Sequence, residues 1–439
     1  MAIRRFLHLA LLASLVLAPL PGAAAGGGRA LERLKARYAR PAGVPFPADN
    51  PFTPEKAALG ERLFHEPLLS QNGSFACATC HDPGQGFADG QALGRGVPGE
   101  LLPRHTPTLW NLAWAPALFW DGRAASLEEQ AKGPIQNPKE MAQPLAEGVR
   151  KLAAREDYRA AFARAFPASP VVDETRLLLA LATYERTLVS PVTRFDRWIT
   201  GDANALDAAE IRGFLLFNGK AGCANCHEGW AFTDHGFHDI GLPGGDRGRG
   251  AVIGLDVADH AFKTPSLREL GRTAPYMHDG RFATLDEVLD HYTGGIVERP
   301  SLSPDLRRIA LTPDERRDLL AFLGTLTAKT QEPAPLVVAV PADASREEVV
   351  ATGTVRQKDK RFAPGHIRIA AGERLTVVND DSRTHNVRVS DPRLAFDSGA
   401  QDPGQSIALS FAEPGRYQLF CGIHPAMRLT VEVESAGSQ

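Results

Sequence analysis

This chain of 439 residues has few cysteines, few aromatic side chains and almost no excess of charge. A formal net charge of −3 and a pI near 6.5 give no reason to expect binding to nucleic acid or to an anionic membrane. Beyond the N-terminal region, no stretch is long and apolar enough to span a membrane. The sequence therefore predicts no nucleic-acid partner and no membrane span.

The five cysteines are arranged in a way that excludes a framework of disulfide bonds. Four of them belong to two copies of the pattern Cys-X-X-Cys-His, at Cys77, Cys80 and His81 and at Cys223, Cys226 and His227. In this pattern the two thiols bind covalently to a porphyrin and the histidine binds its iron, as in c-type haem attachment. One copy alone is also compatible with a redox dithiol that precedes a histidine. Two copies in matching surroundings predict two covalently bound haems.

The N-terminal region is typical of an export signal. Arg4 and Arg5 form its positive end, residues 6–20 are an apolar run, and residues 23–25 are alanines suited to cleavage. The run is too short for a transmembrane helix, and the arginine pair fits a plain signal or a twin-arginine signal. We expect a signal peptide over 1–25 and, in a Gram-negative source, a soluble protein of the periplasm.

Two parts of the chain repeat the same plan. In each, a helix-start signal precedes an apolar helix and then a haem motif, with Thr53 and Pro54 in one copy and Asp207 and Glu210 in the other. Further matching pairs follow downstream, residues 105–109 with 263–267 and residues 121–129 with 279–287. This repetition predicts two related, mainly α-helical haem domains in tandem, the first over 51–205 and the second over 206–328. A tether rich in glycine, arginine and proline is predicted over 26–50.

The fifth cysteine lies in a different kind of sequence. After a proline-rich linker over 329–345, apolar residues alternate as in β-strands, which predicts a small all-β sandwich over 346–439. Within it lie a thiolate, a thioether and two imidazoles, from Cys421, Met427, His385 and His424. Alone, the first histidine fits a surface turn and the methionine fits core packing. Together the four residues are the ligand set of a type 1 (blue) copper site for electron transfer.

The β-domain resembles the cupredoxins beyond its ligands. The resemblance extends to Phe362, Pro364, Gly372, Asn379 and Asp381. The short loop from the cysteine to the methionine looks most like that of amicyanin. The resemblance implies a domain that transfers one electron and catalyses no bond chemistry.

The repeat indicates what lies over each haem iron. Seven positions after the matched Leu285 and Leu127 stand Tyr292 and Pro134, respectively. Tyrosine can ligate haem iron and proline cannot. We therefore expect the first haem to have an open face and the second haem to be closed by Tyr292.

Three further residues are candidates for chemistry at the open haem. Gln130 and Glu140 lie close to Pro134 in sequence, and a carboxyl group above an open haem can move a proton between the two oxygens of peroxide. For Glu140 the alternative is a solvated surface acid. Trp120 is a candidate for connecting the haems electronically, with a core aromatic as the alternative.

Residues 46–330 resemble the bacterial di-haem cytochrome c peroxidases and their relative MauG, which oxidises tryptophans of a partner protein. The stretches that carry the resemblance are residues 119–123, 133–137 and 273–280 and both haem motifs. The resemblance implies that the N-terminal haem binds peroxide, with Gln130 and Glu140 on its distal side. It also implies that Trp120 lies between the haems and that electrons enter at the C-terminal haem.

The sequence departs from the peroxidases at three positions. Val97 stands where they carry a histidine that caps the first haem at rest, so this haem is expected to be open without activation, as in MauG. Tyr292 follows MauG where the peroxidases use a methionine, with Met277 and His291 as rival ligands. His105 replaces an asparagine of the family's calcium site, which leaves calcium as an uncertain cofactor.

The leading hypothesis is a periplasmic di-haem peroxidase with its electron donor fused to it. Its partners would be hydrogen peroxide and a small redox protein, a cytochrome c or a cupredoxin, as the outside donor. One alternative is a MauG-like oxidase that oxidises tryptophan or tyrosine in a protein substrate. Another is a non-catalytic electron carrier with several centres. Dimers are common in the peroxidase family, so the resemblance suggests a homodimer by analogy alone.

Overall fold

The computed structural model describes residues 21–339 and 348–435, with side chains from residue 28 onward. Residues 1–20 of the predicted signal peptide and residues 340–347 of the linker region lie outside this part. In the described ranges, no helix is both long and apolar enough to cross a lipid bilayer.

The segment predicted as a tether has a definite structure, which corrects that prediction. Its first part belongs to helix α1, Pro21–Ala36, whose Leu31 and Leu34 pack against the second haem domain. Tyr38 is only 1% exposed and its hydroxyl donates to the Asn218 side chain at 2.7 Å. Apolar residues at helical spacing therefore outweigh the high glycine and proline content of this segment.

The first haem domain is built from seven helices. They are α2, Pro54–Phe64; α3, Cys77–Cys80; α4, Leu127–Gln136; α5, Leu145–Ala153; α6, Glu156–Ala165; α7, Glu174–Thr187; and α8, Arg194–Ile199. The predicted start of α2 is confirmed, because the Thr53 side chain accepts a hydrogen bond from the Lys56 amide. Asp173 caps α7 in the same way through the Arg176 amide.

The second haem domain contains four α-helices and a short antiparallel pair of strands. The helices are α9, Ala208–Asn218; α10, Arg249–Ile253; α11, Leu285–Asp290; and α12, Pro313–Gly324; the strands are β1, Phe237–His238, and β2, Phe262–Lys263. The expected capping box at Asp207 and Glu210 is present at the start of α9. Around it, Phe195, Phe214 and Phe322 form edge-to-face or tilted contacts at the centre of the core.

The two domains share one packing device. Helix α2 crosses α7 at Gly60, where an added Cβ would lie 2.0 Å from the Ala180 carbonyl oxygen. Helix α9 crosses α12 at Gly213, where an added Cβ would lie 2.0 Å from the Asp318 carbonyl oxygen. Each contact requires glycine because the two helix backbones approach too closely for any side chain.

The C-terminal domain is a sandwich of two sheets, as the alternating pattern predicts. Its strands are β3, Val350–Ala351; β4, Thr354–Lys358; β5, Arg361–Ala363; β6, His366–Ala370; β7, Arg374–Asn379; β8, Arg388–Asp391; β9, Leu394–Asp397; β10, Ser406–Ser410; β11, Gly415–Phe420; and β12, Arg428–Glu434. One sheet has the order β10-β7-β4-β5 and the other β3-β6-β12-β11-β8-β9. Side chains of both sheets, such as Val377 and Val431, meet in one core.

The linker lies along the first domain before residue 340. The Gln331 side chain donates to the Gly84 carbonyl at 2.7 Å, and the Ala334 amide donates to the Val189 carbonyl at 3.1 Å. Val338 then pairs with Val44 in a parallel bridge. The described part of the linker is thus extended and held in place by backbone hydrogen bonds.

Candidate haem and copper sites

Each haem motif lines a deep cavity, which we name the first and the second haem cavity. In the first, the Nδ1 atom of His81 lies 2.9 Å from the Phe87 carbonyl oxygen. In the second, the Nδ1 atom of His227 lies 3.0 Å from the Phe232 carbonyl oxygen. These bonds leave Nε2 as the nitrogen for iron. Burial lowers the pKa of both imidazoles, which favours the neutral form that binds metal.

The residues therefore fit covalently attached haem. Cys77 and Cys80 line the first cavity, and Cys223 and Cys226 line the second. The carbonyl that orients each histidine belongs to a phenylalanine with a left-handed backbone. The φ angle is 59° for Phe87 and 52° for Phe232. The repeat thus extends from the cysteines to the turn that orients the iron ligand.

The first cavity brings together the side chains predicted for its distal side. Gln130, Pro134 and Glu140 all line it. Glu140 accepts a hydrogen bond from the Asn137 side chain at 2.7 Å. Burial raises the pKa of Glu140 and outweighs the opposing effects of that bond and of the Arg123 charge. Glu140 is thus a half-buried acid at the cavity wall.

Sequence reasoning assigned no role to three other residues of the first cavity. Arg123 and Asn137 line the first cavity and lie inside the stretches 119–123 and 133–137 that carry the family resemblance. Their position in these stretches could have indicated them. Glu185 of α7 gave no signal beyond its place in an apolar helix. It is 6% exposed, its Oε2 has no hydrogen-bond partner in the described ranges, and burial raises its pKa to about 8.

The second cavity contains two of the three candidate iron ligands. Tyr292 and Met277 both line it. Tyr292 lies in a single π-helical turn, His291–Gly295, which directly follows α11. Such turns are often found at functional sites. His291 instead uses its Nε2 atom for a hydrogen bond of 2.8 Å to the Ile240 carbonyl, and it is not a wall residue of the cavity.

The first cavity has no counterpart of either ligand. Pro134 stands at the position of Tyr292, and Phe119 stands at the position of Met277 in the repeat. Phe119 and Met277 have similar left-handed backbones, with φ of 65° and 76°. Val97 is not a wall residue either, and its amide donates to the Glu140 carbonyl at 2.7 Å. In the first haem domain, neither of these two positions of the repeat carries a side chain that can bind iron.

Trp120 forms part of the wall shared by the two cavities. Its indole Nε1 donates to the His105 carbonyl at 2.8 Å, and its own carbonyl accepts from the Lys263 amide at 2.8 Å. His105 and Lys263 are matched positions of the repeat and also line both cavities. The ring Nδ1 of His105 contacts the Gln91 carbonyl at 2.8 Å. Among the described residues, His105 is not part of a group of three or more His, Cys, Asp or Glu side chains that could hold a metal ion.

The predicted copper ligands converge in the β-sandwich. The Nδ1 atoms of His385 and His424 lie 3.1 Å apart, and the Cys421 sulfur lies 3.8 and 3.9 Å from them. Met427 is buried in the same apolar cluster as Cys421. Asp381 accepts from the Nε2 atom of His385 at 3.1 Å and fixes that ring.

The sulfur of the copper site is also prepared for a metal. The backbone amides of Asn386 and His424 point to the Cys421 sulfur at 3.5 and 3.4 Å. Burial raises the pKa of this thiol, whereas the amide hydrogen bonds lower it, and burial dominates. A buried thiol with two imidazoles and amide donors fits a type 1 copper ion, which binds the thiolate.

The copper-ligand edge of the sandwich faces the second haem domain. The rings of His424 and His238 lie 6.2 Å apart between centroids. Lys360 pairs with Asp234 at 2.7 Å. Ile253 of α10 belongs to the same apolar cluster as the sandwich core. The two domains are thus packed together at the edge that carries the metal ligands.

Comparison with known proteins agrees with this architecture. Residues 54–204 match the family described as di-haem cytochrome c peroxidase, and residues 320–432 match the cupredoxin-like domain. The methylamine utilization protein MauG of Methylorubrum extorquens is 49% identical over 311 residues, which cover 70% of this chain and 87% of MauG. The cytochrome-c peroxidase IdrP1 of Denitromonas iodatirespirans is 38% identical, over 65% of this chain and 84% of that protein.

A solved structure shows the same fold over the haem domains. It is a crystal structure of a MauG-like protein associated with microbial copper homeostasis. Its TM-score is 0.62 at 34% identity, and the match covers 70% of this chain and 98% of that one.

Proposed function

Since this chain belongs to the di-haem cytochrome c peroxidase/MauG family and carries a C-terminal cupredoxin-like domain, we propose that it reduces hydrogen peroxide to water with electrons delivered through that domain and the second haem. It would act in the periplasm, and a small redox protein would reduce its copper domain from outside. When bound, the haems and the copper supply one-electron transfer, and the first haem supplies the iron to which peroxide binds.

The residues of the first cavity provide the proton chemistry of this reaction. The raised pKa of Glu140 lets its carboxyl hold a proton closer to neutral pH than an exposed glutamate does. Such a group can accept a proton from one peroxide oxygen and donate it to the other. The Asn137 amide holds Oε1 of this carboxyl, and Gln130 adds a polar side chain to the same wall.

Trp120 is proposed to connect the two halves. It is held by one hydrogen bond from each repeat, so its ring is fixed between the cavities. A rigid aromatic side chain that borders both cavities shortens the distance an electron must cross through saturated atoms. Trp120 would thus act in transfer and not in binding of peroxide.

The observation that carries the proposal is the position of the copper domain. Its ligand His424 packs against His238, which is a wall residue of the second haem cavity. An electron donor that is fused and docked at this point supports delivery of electrons to the haems.

Removal of the copper ligand tests this proposal. Cys421→Ala should abolish turnover driven by a reduced outside redox protein and leave the optical titration with peroxide unchanged, because the first cavity lies in another domain. Met427→Leu, which keeps the three strong ligands, is the matched control and should retain copper and turnover. Loss of peroxide binding together with turnover in Cys421→Ala would count against this order of electron flow.

A second candidate is a MauG-like oxidase of a protein substrate. The identity of 49% to MauG favours it, as do Val97 and the place of Tyr292 in the second cavity. A peroxide titration without donor separates the two. A long-lived oxidised state that decays by oxidising tryptophan or tyrosine of a partner supports the oxidase. Rapid decay on addition of reduced donor supports the peroxidase, and no reaction supports a simple carrier.

A further inference from the structure

His238 of the second haem domain lies beside the copper ligand His424. It lies in strand β1, is 6% exposed and forms part of the wall of the second haem cavity. Its Nε2 atom lies 2.9 Å from a carboxylate oxygen of Asp234, and its Nδ1 atom lies 3.0 Å from the Ser303 hydroxyl. Two hydrogen bonds therefore fix both the position and the tilt of this ring.

One side of this ring faces the haem attachment site. The Cys226 sulfur, a ring nitrogen of His238 and an oxygen of Asp234 all lie within 4.8 Å of one another. Cys226 belongs to the second haem motif, so its sulfur is committed to a covalent bond with the porphyrin. This cluster is therefore a contact between His238 and the haem linkage.

The ring also lies close to the copper site. The His424 ring lies 6.2 Å away between centroids, inclined at 58°. His424 is itself 6% exposed. His238 thus lies close both to a copper ligand and to a cysteine of the second haem motif.

The domain interface around this point is closed by polar contacts on several sides. Lys360 of the sandwich pairs with Asp234, which also holds His238, and donates to the Asn225 carbonyl within the haem motif at 3.2 Å. Arg383 of the sandwich pairs with Asp305, with Nε to Oδ2 at 2.8 Å. The ligand edge is thereby held against the second haem domain.

We propose that His238 is the bridging residue for electron transfer inside the molecule, along the route His424, His238, Cys226. This inference rests on the proposed function, in which the copper domain supplies the haems. One electron leaves the cuprous site, which becomes cupric, and reduces the ferric second haem iron to ferrous. No bond forms or breaks and no proton moves. Because tunnelling weakens steeply with each gap between atoms, a ring packed beside both sites favours this route across the interface.

Arg249 offers the rival route. Its Nε donates to the Gly422 carbonyl at 2.7 Å, next to the copper ligand Cys421. Its Nη1 donates to the carbonyls of Asp121 and Gly122, at 3.0 and 2.7 Å, next to Trp120. This path runs through saturated backbone and would bypass the second haem. The two routes therefore predict different mutational results.

The test is the relaxation between the copper and haem absorption bands after a pulse of radical reductant. It is measured on the holoprotein without peroxide. His238→Ala should slow this internal exchange about tenfold or more, because it replaces ring contacts with a gap. His238→Phe, which restores a ring, should recover most of the rate. His260→Asn, a histidine of the same domain bonded to the Asp246 carbonyl, is the control and should leave it unchanged.

The variants must keep their centres intact for this comparison. Optical and electron paramagnetic spectra and the reduction potentials of His238→Ala should match the parent, which excludes a merely structural effect. If the alanine variant does not yield holoprotein, His238→Leu carries the same prediction. An unchanged rate in His238→Ala, or in His238→Leu, would overturn the proposal. Slow exchange in Arg249→Ala would then assign the route to Arg249. Absence of exchange in the parent protein would overturn the proposed function as well.

Discussion

At the scale of single residues, the acids near the first haem motif differ in their surroundings. Glu140 is half-buried, is held by Asn137 and has a raised pKa, whereas Asp82 and Asp89 beside the same haem motif face turns and loops. A carboxyl with a raised pKa that borders a reaction cavity can act as an acid or a base. The chemistry of peroxide should therefore depend on this one side chain more than on total charge.

Replacing Glu140 tests that dependence. Glu140→Gln should lower the kcat for peroxide reduction by about 10²- to 10⁴-fold, the usual contribution of a positioned proton donor or acceptor. Peroxide binding in an optical titration should remain. Glu147→Gln changes an exposed acid of α5 and is the matched control. A kcat for Glu140→Gln equal to that of the control would exclude the carboxyl from the reaction.

Glu185 should make stability depend on pH. Burial raises its folded pKa from 4.5 to about 8, so the folded state keeps a proton that the unfolded state releases. The free energy of unfolding therefore falls as pH rises from about 4.5 to about 8. In Glu185→Gln this part of the pH dependence should disappear, as seen in the difference between thermal melts of variant and parent holoprotein. Identical pH profiles of the two would show that Glu185 is ionised when folded.

At the scale of elements, the two repeats use one helix position differently. Helix α4 continues through Pro134, whereas α11 ends at Asp290 and a π-helical turn brings Tyr292 to the second cavity. The same position of the repeat thus holds a potential iron ligand, Tyr292, in the second haem domain. In the first haem domain it holds Pro134, which cannot bind iron. We propose that this difference makes the two haems unequal.

Tyr292→Phe tests the inequality. Without the phenol oxygen, the second haem should become high-spin and bind an additional equivalent of cyanide, measured by electron paramagnetic resonance and optical titration. Met277→Leu should leave both signals as in the parent. The opposite result, with Met277→Leu opening the second haem, would assign the ligand to Met277.

Elements that depend on local signals could be predicted from the sequence, and those that depend on packing could not. The starts of α2, α7, α9 and α12 follow from side-chain caps that lie within three residues of each start. At the N-terminus, the composition predicts a tether, but the segment forms helix α1. Tyr38, just after this helix, is buried against aromatic side chains that are distant in sequence.

The same reasoning applies to the sites. The candidate haem and copper ligands could be predicted because metal binding requires particular residue types at short spacing. His238, Arg249 and Glu185 belong to no such motif. The roles proposed for them depend on contacts where two domains or two helices meet, which a single sequence does not specify.

At the scale of the whole molecule, ion pairs hold the copper domain to the second haem domain. Arg383 and Asp305 are both partly buried and pair across the interface. Arg383→Ala leaves the Asp305 charge buried without this partner, which is more costly than loss of an exposed pair. The variant should therefore separate the unfolding of the copper domain from that of the haem domains.

Calorimetry of the holoprotein checks this expectation. Arg393→Ala removes an exposed pair with Asp391 inside the sandwich and should leave the unfolding transitions together, within about 1 kcal/mol of the parent. If Arg383→Ala behaves like this control, the docking does not depend on the ion pair. Small-angle scattering of the same samples would report any opening of the interface.

The most direct measurement is a stopped-flow reaction of the fully reduced holoprotein with less than one equivalent of peroxide. The copper and haem absorption bands are followed together. Delivery of electrons through the fused domain predicts that the copper is oxidised in the same reaction, with two electrons lost from the protein for each peroxide consumed. Peroxide consumption while the copper stays reduced, or no consumption at all, would contradict a copper-fed peroxidase.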